Sequence, residues 1–335
     1  MINWLKLTDE ERNDILGLVS RRTGLPAYAI EKDWWVTLAL YAIFRTEWKD
    51  NIVFKGGTSL SKSWGLIERF SEDIDLVIDR SVLGFGEELS KSKVKELRKA
   101  SCAFTSGIFR DALENELLAI GVPKDMFKLK VADTTESDRD PQILELYYIS
   151  SLEKGTYLKE AVLIEIGARS LREPSEQRIV NSIISETLGD TKTSGEPFSI
   201  LTVTPVRTFM EKIFLLHEEF SKPADKIRID RMSRHLYDID RIMDTEYGEQ
   251  AIKDTDLYDS IVDHRSKFNV IRGIDYSNHR QDKISFIPPA EVMSEWEADY
   301  KAMQNDMIYG ESRPFRRIIA RLTSLQKRFR QIKKE

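Results

Sequence analysis

The stretch Phe54–Ile78, FKGGTSLSKSWGLIERFSEDIDLVI, decides the fold. Residues 51–54 (NIVF) and 74–78 (IDLVI) are rich in β-branched and aromatic side chains, which predicts two strands. Gly56 and Gly57 stand where the first strand must turn; without a Cβ they permit positive φ and let a ligand approach the backbone. Thr58 and Ser59 then open a short helical segment, SLSKSW, whose first N–H groups and hydroxyls form a cradle for phosphate. Asp73 and Asp75 are two positions apart, so a strand projects both to one face with Cα atoms about 6–7 Å apart. Two hard oxygen ligands at that spacing suit Mg²⁺, with Mn²⁺ as an alternative, because such ions take one or two carboxylates and complete their shell with substrate phosphates. A phosphate cradle beside a divalent-metal clamp is what a nucleoside triphosphate (NTP) requires.

Gly56, Gly57 and Ser59 followed by Asp73-Ile-Asp75 resemble the signature of polymerase-β-type nucleotidyltransferases. The fuller string GGTSLSK…RFSEDIDL is similar to that of the AbiEii/AbiGii toxin family, the nucleotidyltransferase half of a bacterial toxin–antitoxin pair. The generic motif has a shorter gap than the 15 residues from Thr58 to Glu72, and the longer form is the one the toxin family shows. The resemblance covers most of the chain as far as Met243. It implies transfer of a nucleotide to RNA, in some members the 3′ acceptor end of tRNA, and a cognate antitoxin as partner.

Bulk properties bound these expectations. The 335 residues are 41% hydrophobic and 32% charged, with a mean hydropathy of −0.40, enough chain for two domains. There is no apolar run of 18 residues and no charged-then-apolar leader, so no membrane association is expected and the cytoplasm is the expected location. The single cysteine, Cys102, excludes an intramolecular disulfide and a cysteine-based metal site. A net charge of −5 gives no global attraction to nucleic acid, so any RNA contact must come from local basic patches.

Thr8 and Glu11 form a capping box for a first helix that Gly24 and Pro26 end. EKDWWVTLALYAIF, within a second helix from about Ala27 to Phe44, is apolar around most of its circumference and therefore buried. Lys32 and Asp33 near its start read as a solvated lysine and a dipole-matching acid, although the toxin family has a similar EKDWW string, which implies that this helix packs behind the nucleotide site. A glycine-containing polar loop is expected over SVLGFGEELSKS, and a long helix over Lys91–Ile120 with a break near Ser106-Gly107. Strands are expected at 127–133, 143–150 and 160–168. With the first two they make the mixed sheet of an α+β nucleotidyltransferase-like core flanked by helices. Glu165 interrupts the third of these strands, and a carboxylate in a buried strand needs a partner or a metal. Polymerase-β-type enzymes take a third metal ligand from a neighbouring strand; the alternative is an edge strand with Glu165 in water beside Arg169.

One helix is expected from Gln177 to Leu188, then a strand at FSILTVT. Pro205 marks a change to helix, which places a boundary between a core of residues 1–204 and a helical C-terminal domain of residues 205–335. Helix 206–220 has Phe209, Ile213, Leu216 and Phe220 on one stripe and Lys212 off it, where a lysine is ordinarily solvated. The resemblance implies instead that Lys212 reaches the nucleotide's phosphates. Arg234 and Asp238 are spaced for a surface pair, whereas the family's similar RHxYD element implies an active-site role for Asp238. Residues 250–289 give no clear pattern. The tail from Arg313 to Lys334 has nine basic residues and no acidic one, with apolar positions at helical spacing. It reads as a basic amphipathic helix that closes the body, or that guides RNA or grips an acidic antitoxin.

The assembled expectation is in-line transfer from an NTP, with Asp73, Asp75 and Glu165 on the metal, Gly56, Gly57, Thr58, Ser59 and Lys62 on the nucleotide, and Lys212 and Asp238 in catalytic roles. Modification of a protein hydroxyl and a catalytically idle nucleotide-binding module are the alternatives.

Overall fold

The computed structural model describes residues 1–86, 88–134, 136, 138–152, 161–172, 174–189, 191–269, 271 and 273–332. Glu160 of the third strand candidate, Lys333 and Lys334 of the basic tail, and parts of the loops at 81–92 and 134–141 lie outside those residues. The chain divides into two compact units, Met1–Trp64 with Phe70–Val203, and Gly65–Arg69 with Thr204–Glu335.

The first unit is an α+β layer structure. Its elements are α1 (Asp9–Thr23), α2 (Ala27–Ile43), β1 (Ile52–Lys55), α3 (Gly56–Lys62), β2 (Ile74–Ile78), α4 (Lys91–Phe104), α5 (Arg110–Ala119), β3 (Phe127–Val131), β4 (Gln142–Tyr148), β5 (Ala161–Gly167), β6 (Ser175–Val180), α6 (Ile183–Leu188), α7 (Thr191–Ser194) and β7 (Phe198–Val203). The capping box at Thr8 and Glu11 forms, and Gly24 ends α1 in the left-handed region. The helix break near Ser106-Gly107 is a π turn, Thr105–Phe109, inserted between α4 and α5.

All seven strands form one mixed sheet in the order β3-β4-β5-β2-β1-β7-β6. β2 pairs antiparallel with β1 and parallel with β5, so the strand carrying Asp75 lies near the centre of the sheet. One face is apolar, with Leu144, Leu146, Val162, Ile164, Ile74 and Leu76 all buried. On that side the Trp35 ring of α2 stacks on Tyr148 with centroids 5.0 Å apart, and Trp34 meets Trp35 edge-on at 5.2 Å. Every residue of α2 from Ala29 to Leu40 is buried, as its unbroken apolar run requires.

The helix expected over Gln177–Leu188 is instead an edge strand followed by a short helix. β6 pairs antiparallel with β7 from Ser175↔Val203 to Val180↔Phe198, and Ser182 caps α6 by accepting the Ser185 N–H. The edge position explains the misreading: Glu176, Gln177 and Ile179 are exposed, so the strand lacks the apolar alternation of a half-buried one.

The second unit is helical: α8 (Pro205–Phe220), α9 (Arg234–Ile242), α10 (Glu246–Lys253), α11 (Thr255–Phe268), α12 (Met293–Asp306) and α13 (Phe315–Gln331). Pro205 occupies the first turn of α8, where its missing N–H costs nothing. The unreadable segment 250–289 contains α11, which Asp254 caps through the Leu257 N–H. α13 buries Phe315, Ile318, Leu322, Leu325 and Phe329, and its Arg321 and Arg328 pair with Asp240 and Glu249 of the same unit. Among the described residues, no helix is long and apolar enough to cross a membrane.

Candidate active site

In the first unit the site grows from the turn after β1. Gly56 has φ +82°, and a Cβ placed there would lie 2.0 Å from Asp75 Oδ2, so close approach as well as backbone geometry dictates glycine. Asp75 is in register with Lys55 of β1 on one side and Glu165 of β5 on the other, and Asp73 immediately precedes β2. Asp73, Asp75 and Glu165 are all half-buried. The Thr58 hydroxyl donates to the Asp73 carbonyl at 2.5 Å, with Ser71 Oγ 2.9 Å away, and the Ser59 hydroxyl donates to Gly56 O at 2.9 Å. The Thr58 hydroxyl thus braces the segment that carries the aspartates, and the Ser59 hydroxyl braces the first turn of α3 itself. What α3 offers outward is its first-turn N–H groups, at Gly56, Gly57 and Thr58, which a helix leaves without intrahelical acceptors.

Glu165 is not on an edge strand, because β5 lies between β4 and β2, and Arg169 is bonded to Asp140. Burial first, then the negative fields of Asp75 and Asp73, raise the Glu165 pKa to about 7 against partial relief from Lys55 and Arg139. Such mutual repulsion fits a site that accepts a cation, and oxygen donors fit a hard divalent one. The carboxylates are not drawn into a finished cluster: among the described residues no group of three or more His, Cys, Asp or Glu could hold a metal as it stands. Asp73 and Asp75 could hold such an ion only with oxygens added from outside the chain.

The reading of Lys32 and Asp33 as a solvated lysine and a dipole-matching acid is overturned, since both are buried, as is Glu31 beside them. Glu31 accepts hydrogen bonds from Ser151 N at 2.8 Å and Ser151 Oγ at 2.9 Å, in the turn after β4. Lys32 Nζ pairs with Glu72 at 2.6 Å, one residue before Asp73. Asp33 binds Lys62 Nζ through one oxygen and accepts the Ile183 N–H through the other at 2.8 Å. Lys62 also donates to Asn181 O at 3.0 Å, so its ammonium is committed to internal partners. Successive helical residues point about 100° apart, and one turn of α2 therefore fastens four segments: the turn after β4, the stretch before Asp73, α3 and the head of α6. The signal for this was present in the sequence, as three charged residues leading an otherwise apolar buried helix.

In the second unit Lys212 is buried instead of lying on a solvated surface, and Asp238 is fully buried. Asp238 accepts a two-pronged bond from Arg69, Nε to Oδ1 and Nη2 to Oδ2, each at 2.7 Å, and Lys212 Nζ lies 2.8 Å from Oδ2. A surface pair with Arg234 is thereby excluded as the role of this carboxylate. Burial works against the charge on Asp238, but Arg69 and then Lys212 outweigh it and hold its pKa well below the usual carboxylate range. Burial depresses Lys212, with Asp238 opposing, and burial with Lys212 and Arg234 keeps His235 neutral. Arg69, the partner that completes this network, was not singled out in the sequence, although it belongs to the RFSED string that carries the resemblance.

The family model that matches the chain is that of the nucleotidyl transferase AbiEii toxin of type IV toxin–antitoxin systems, over residues 38–331. No curated protein matches. Among solved structures, MenT4, a nucleotidyltransferase toxin from Mycobacterium tuberculosis H37Rv, is similar with a TM-score of 0.51 and 18% identity, over 95% of this chain and 90% of that one. At that identity the likeness speaks for the fold alone. JHP933 from Helicobacter pylori aligns at 12% identity over 90% of this chain and 99% of that one, with a TM-score of 0.38.

Proposed function

The chain belongs to the AbiEii nucleotidyltransferase toxin family of type IV toxin–antitoxin systems, and from that premise we propose that it transfers a nucleoside monophosphate from an NTP to a hydroxyl of an RNA acceptor, with the 3′ end of tRNA as the acceptor class. The observation that carries the proposal is the crowding of Asp73, Asp75 and Glu165 on one side of the sheet against the glycine turn at Gly56. A bound divalent cation, Mg²⁺ or Mn²⁺, supplies neutralisation of charge on the phosphoryl oxygens. Asp73 and Asp75 would hold that ion, with Glu165 beside them as a third carboxylate. The N–H groups of Gly56, Gly57 and Thr58 at the head of α3 bind the β- and γ-phosphates, and the absence of a Cβ at Gly56 lets them approach. Lys62, whose ammonium is taken up by Asp33, serves the nucleotide by fixing α3 in place. The acceptor hydroxyl oxygen forms the new bond to the α-phosphorus as the α–β bridging bond breaks, pyrophosphate leaves and the hydroxyl proton passes to water.

Catalytic roles for Lys212 and Asp238 rest on the family resemblance. Their own geometry supports a positioning arrangement in which Asp238 holds the lysine and Arg69 in place. The family also implies an antitoxin partner, and a toxin acting on RNA would work in the cytoplasm.

The test is incubation of the full chain with each α-labelled NTP and Mg²⁺, together with total RNA or a cell protein extract. Label is expected on RNA, and Asp73→Asn and Asp75→Asn should abolish it without loss of fold. Label on protein, or full activity in either variant, would overturn the reading.

A further inference from the structure

The sheet of the first unit has a second face, less buried than the first among the described residues, and the candidate catalytic carboxylates occupy only part of it. Glu165 of β5 is in register with Ile143 of β4, and the same outward row continues along β4 through Glu145 and Tyr147, opposite Lys130 and Lys128 of β3. These β4 side chains and Leu163 are half-buried, the two lysines are exposed, and Ile149 just beyond the strand is 53% exposed. The Lys130 ammonium rests 5.0 Å from the Tyr147 ring centroid, and the Tyr147 hydroxyl donates to Glu145 at 2.7 Å. The opposite face of the same strands is sealed by Leu144, Leu146 and Tyr148.

A water-facing antiparallel sheet face is normally polar throughout. This one mixes an aromatic ring, three aliphatic side chains and two lysines that outnumber Glu145, and it leads from the carboxylates to the β3 edge. Tyr147 stands four residues along β4 from the position beside Glu165, roughly 13 Å away at the rise of a strand. That reach suits a ligand longer than one nucleotide, with flat apolar faces and a repeating negative charge.

We propose that this face is the docking platform for the single-stranded 3′ segment of the RNA acceptor, with a base a few nucleotides upstream of the reacting hydroxyl stacked on Tyr147 and its phosphates held by Lys128 and Lys130. The inference rests on the RNA-transferase reading and adds the residues that receive the acceptor. Base-on-aromatic stacking tolerates any sequence, and lysines that meet only phosphates do the same, so the platform contributes affinity and leaves selection of the acceptor to other contacts.

The experiment uses the full chain and a fluorescently labelled single-stranded RNA, with anisotropy titrations at several salt concentrations and NTP affinity measured separately. Tyr147→Ala should weaken RNA binding about tenfold, while Tyr147→Phe, which keeps the ring, stays near wild type. Lys128→Glu with Lys130→Glu should weaken binding and flatten its salt dependence. Both lysines are exposed, so this pair tests the proposal even if loss of the Tyr147 ring disturbs packing. NTP affinity should not change. If the wild type labels RNA and the variants bind it equally well, the platform is wrong while the transferase reading stands. If the variants lose NTP affinity in parallel, the face belongs to the nucleotide. If the wild type neither binds nor labels RNA, both readings fall.

Discussion

Replacement of Asp238 by asparagine keeps the shape of the side chain and removes its charge. Asp238 is fully buried and answers two cations, Arg69 through a pair of 2.7 Å bonds and Lys212 at 2.8 Å. With the charge gone, the guanidinium and the ammonium remain buried with no counter-ion at that point, and the new amide turns donors toward donors. Breaking a buried network in this way costs about 3–5 kcal/mol. Urea denaturation of the full chain should show the loss, and hydrogen exchange should place it in α8 and α9. A companion variant, Arg69→Met/Lys212→Met/Asp238→Leu, should recover most of the stability, because well-packed apolar residues replace such networks at little cost. If the residues also act in transfer, the triple variant will be stable and inactive. An Asp238→Asn protein with an unchanged urea midpoint and unchanged exchange in both helices would refute the reasoning. The pH dependence has a fixed sign: the folded-state pKa of Asp238 is depressed, so its contribution is complete above the ordinary aspartate range and is lost as pH falls toward the folded value.

For Glu165 the sign is opposite. Its pKa is raised to about 7, so the folded state holds a proton that the unfolded chain has already released, and stability falls as pH rises through that window. Glu165→Gln should therefore stabilise the cation-free protein at pH 8 by roughly 1–3 kcal/mol, allowing for partial solvent screening, and change little at pH 5. Melting curves at the two pH values in the presence of a chelator decide it, and a difference independent of pH would count against it. Gly56→Ala forces a Cβ against the Asp75 carboxylate at a left-handed φ, and should cost more than the roughly 1–2 kcal/mol of backbone strain alone. Gly65→Ala, at φ +62° with nothing within 4 Å of the added carbon, provides the comparison by thermal melt.

What could be read in the sequence were features set by local spacing. The capping box, the buried apolar helix, the strand that carries Asp75 and the apolar stripe of α13 each declare themselves within a few residues. The nearness of Gly56 and Asp75, and of Asp75 and Glu165, depends on sheet register, which composition does not contain. The burial of Lys212 is not legible in the sequence, because a lysine off the apolar stripe is ordinarily solvated and the carboxylate that draws it inward lies on α9. The same reasoning failed for Lys32 and Asp33, whose partners are 40 and 29 residues away along the chain. β6 was misjudged because an exposed edge strand has no apolar alternation to reveal it.

The turn of α2 that bears Glu31, Lys32 and Asp33 works as a common datum for the loops around the aspartates. Each loop is referenced to the same short piece of rigid backbone, so errors in their placement cannot accumulate from one loop to the next. Sequence drift within any one of them leaves the others aligned as long as its own anchor survives, whereas a shift of that single turn would misalign all of them together.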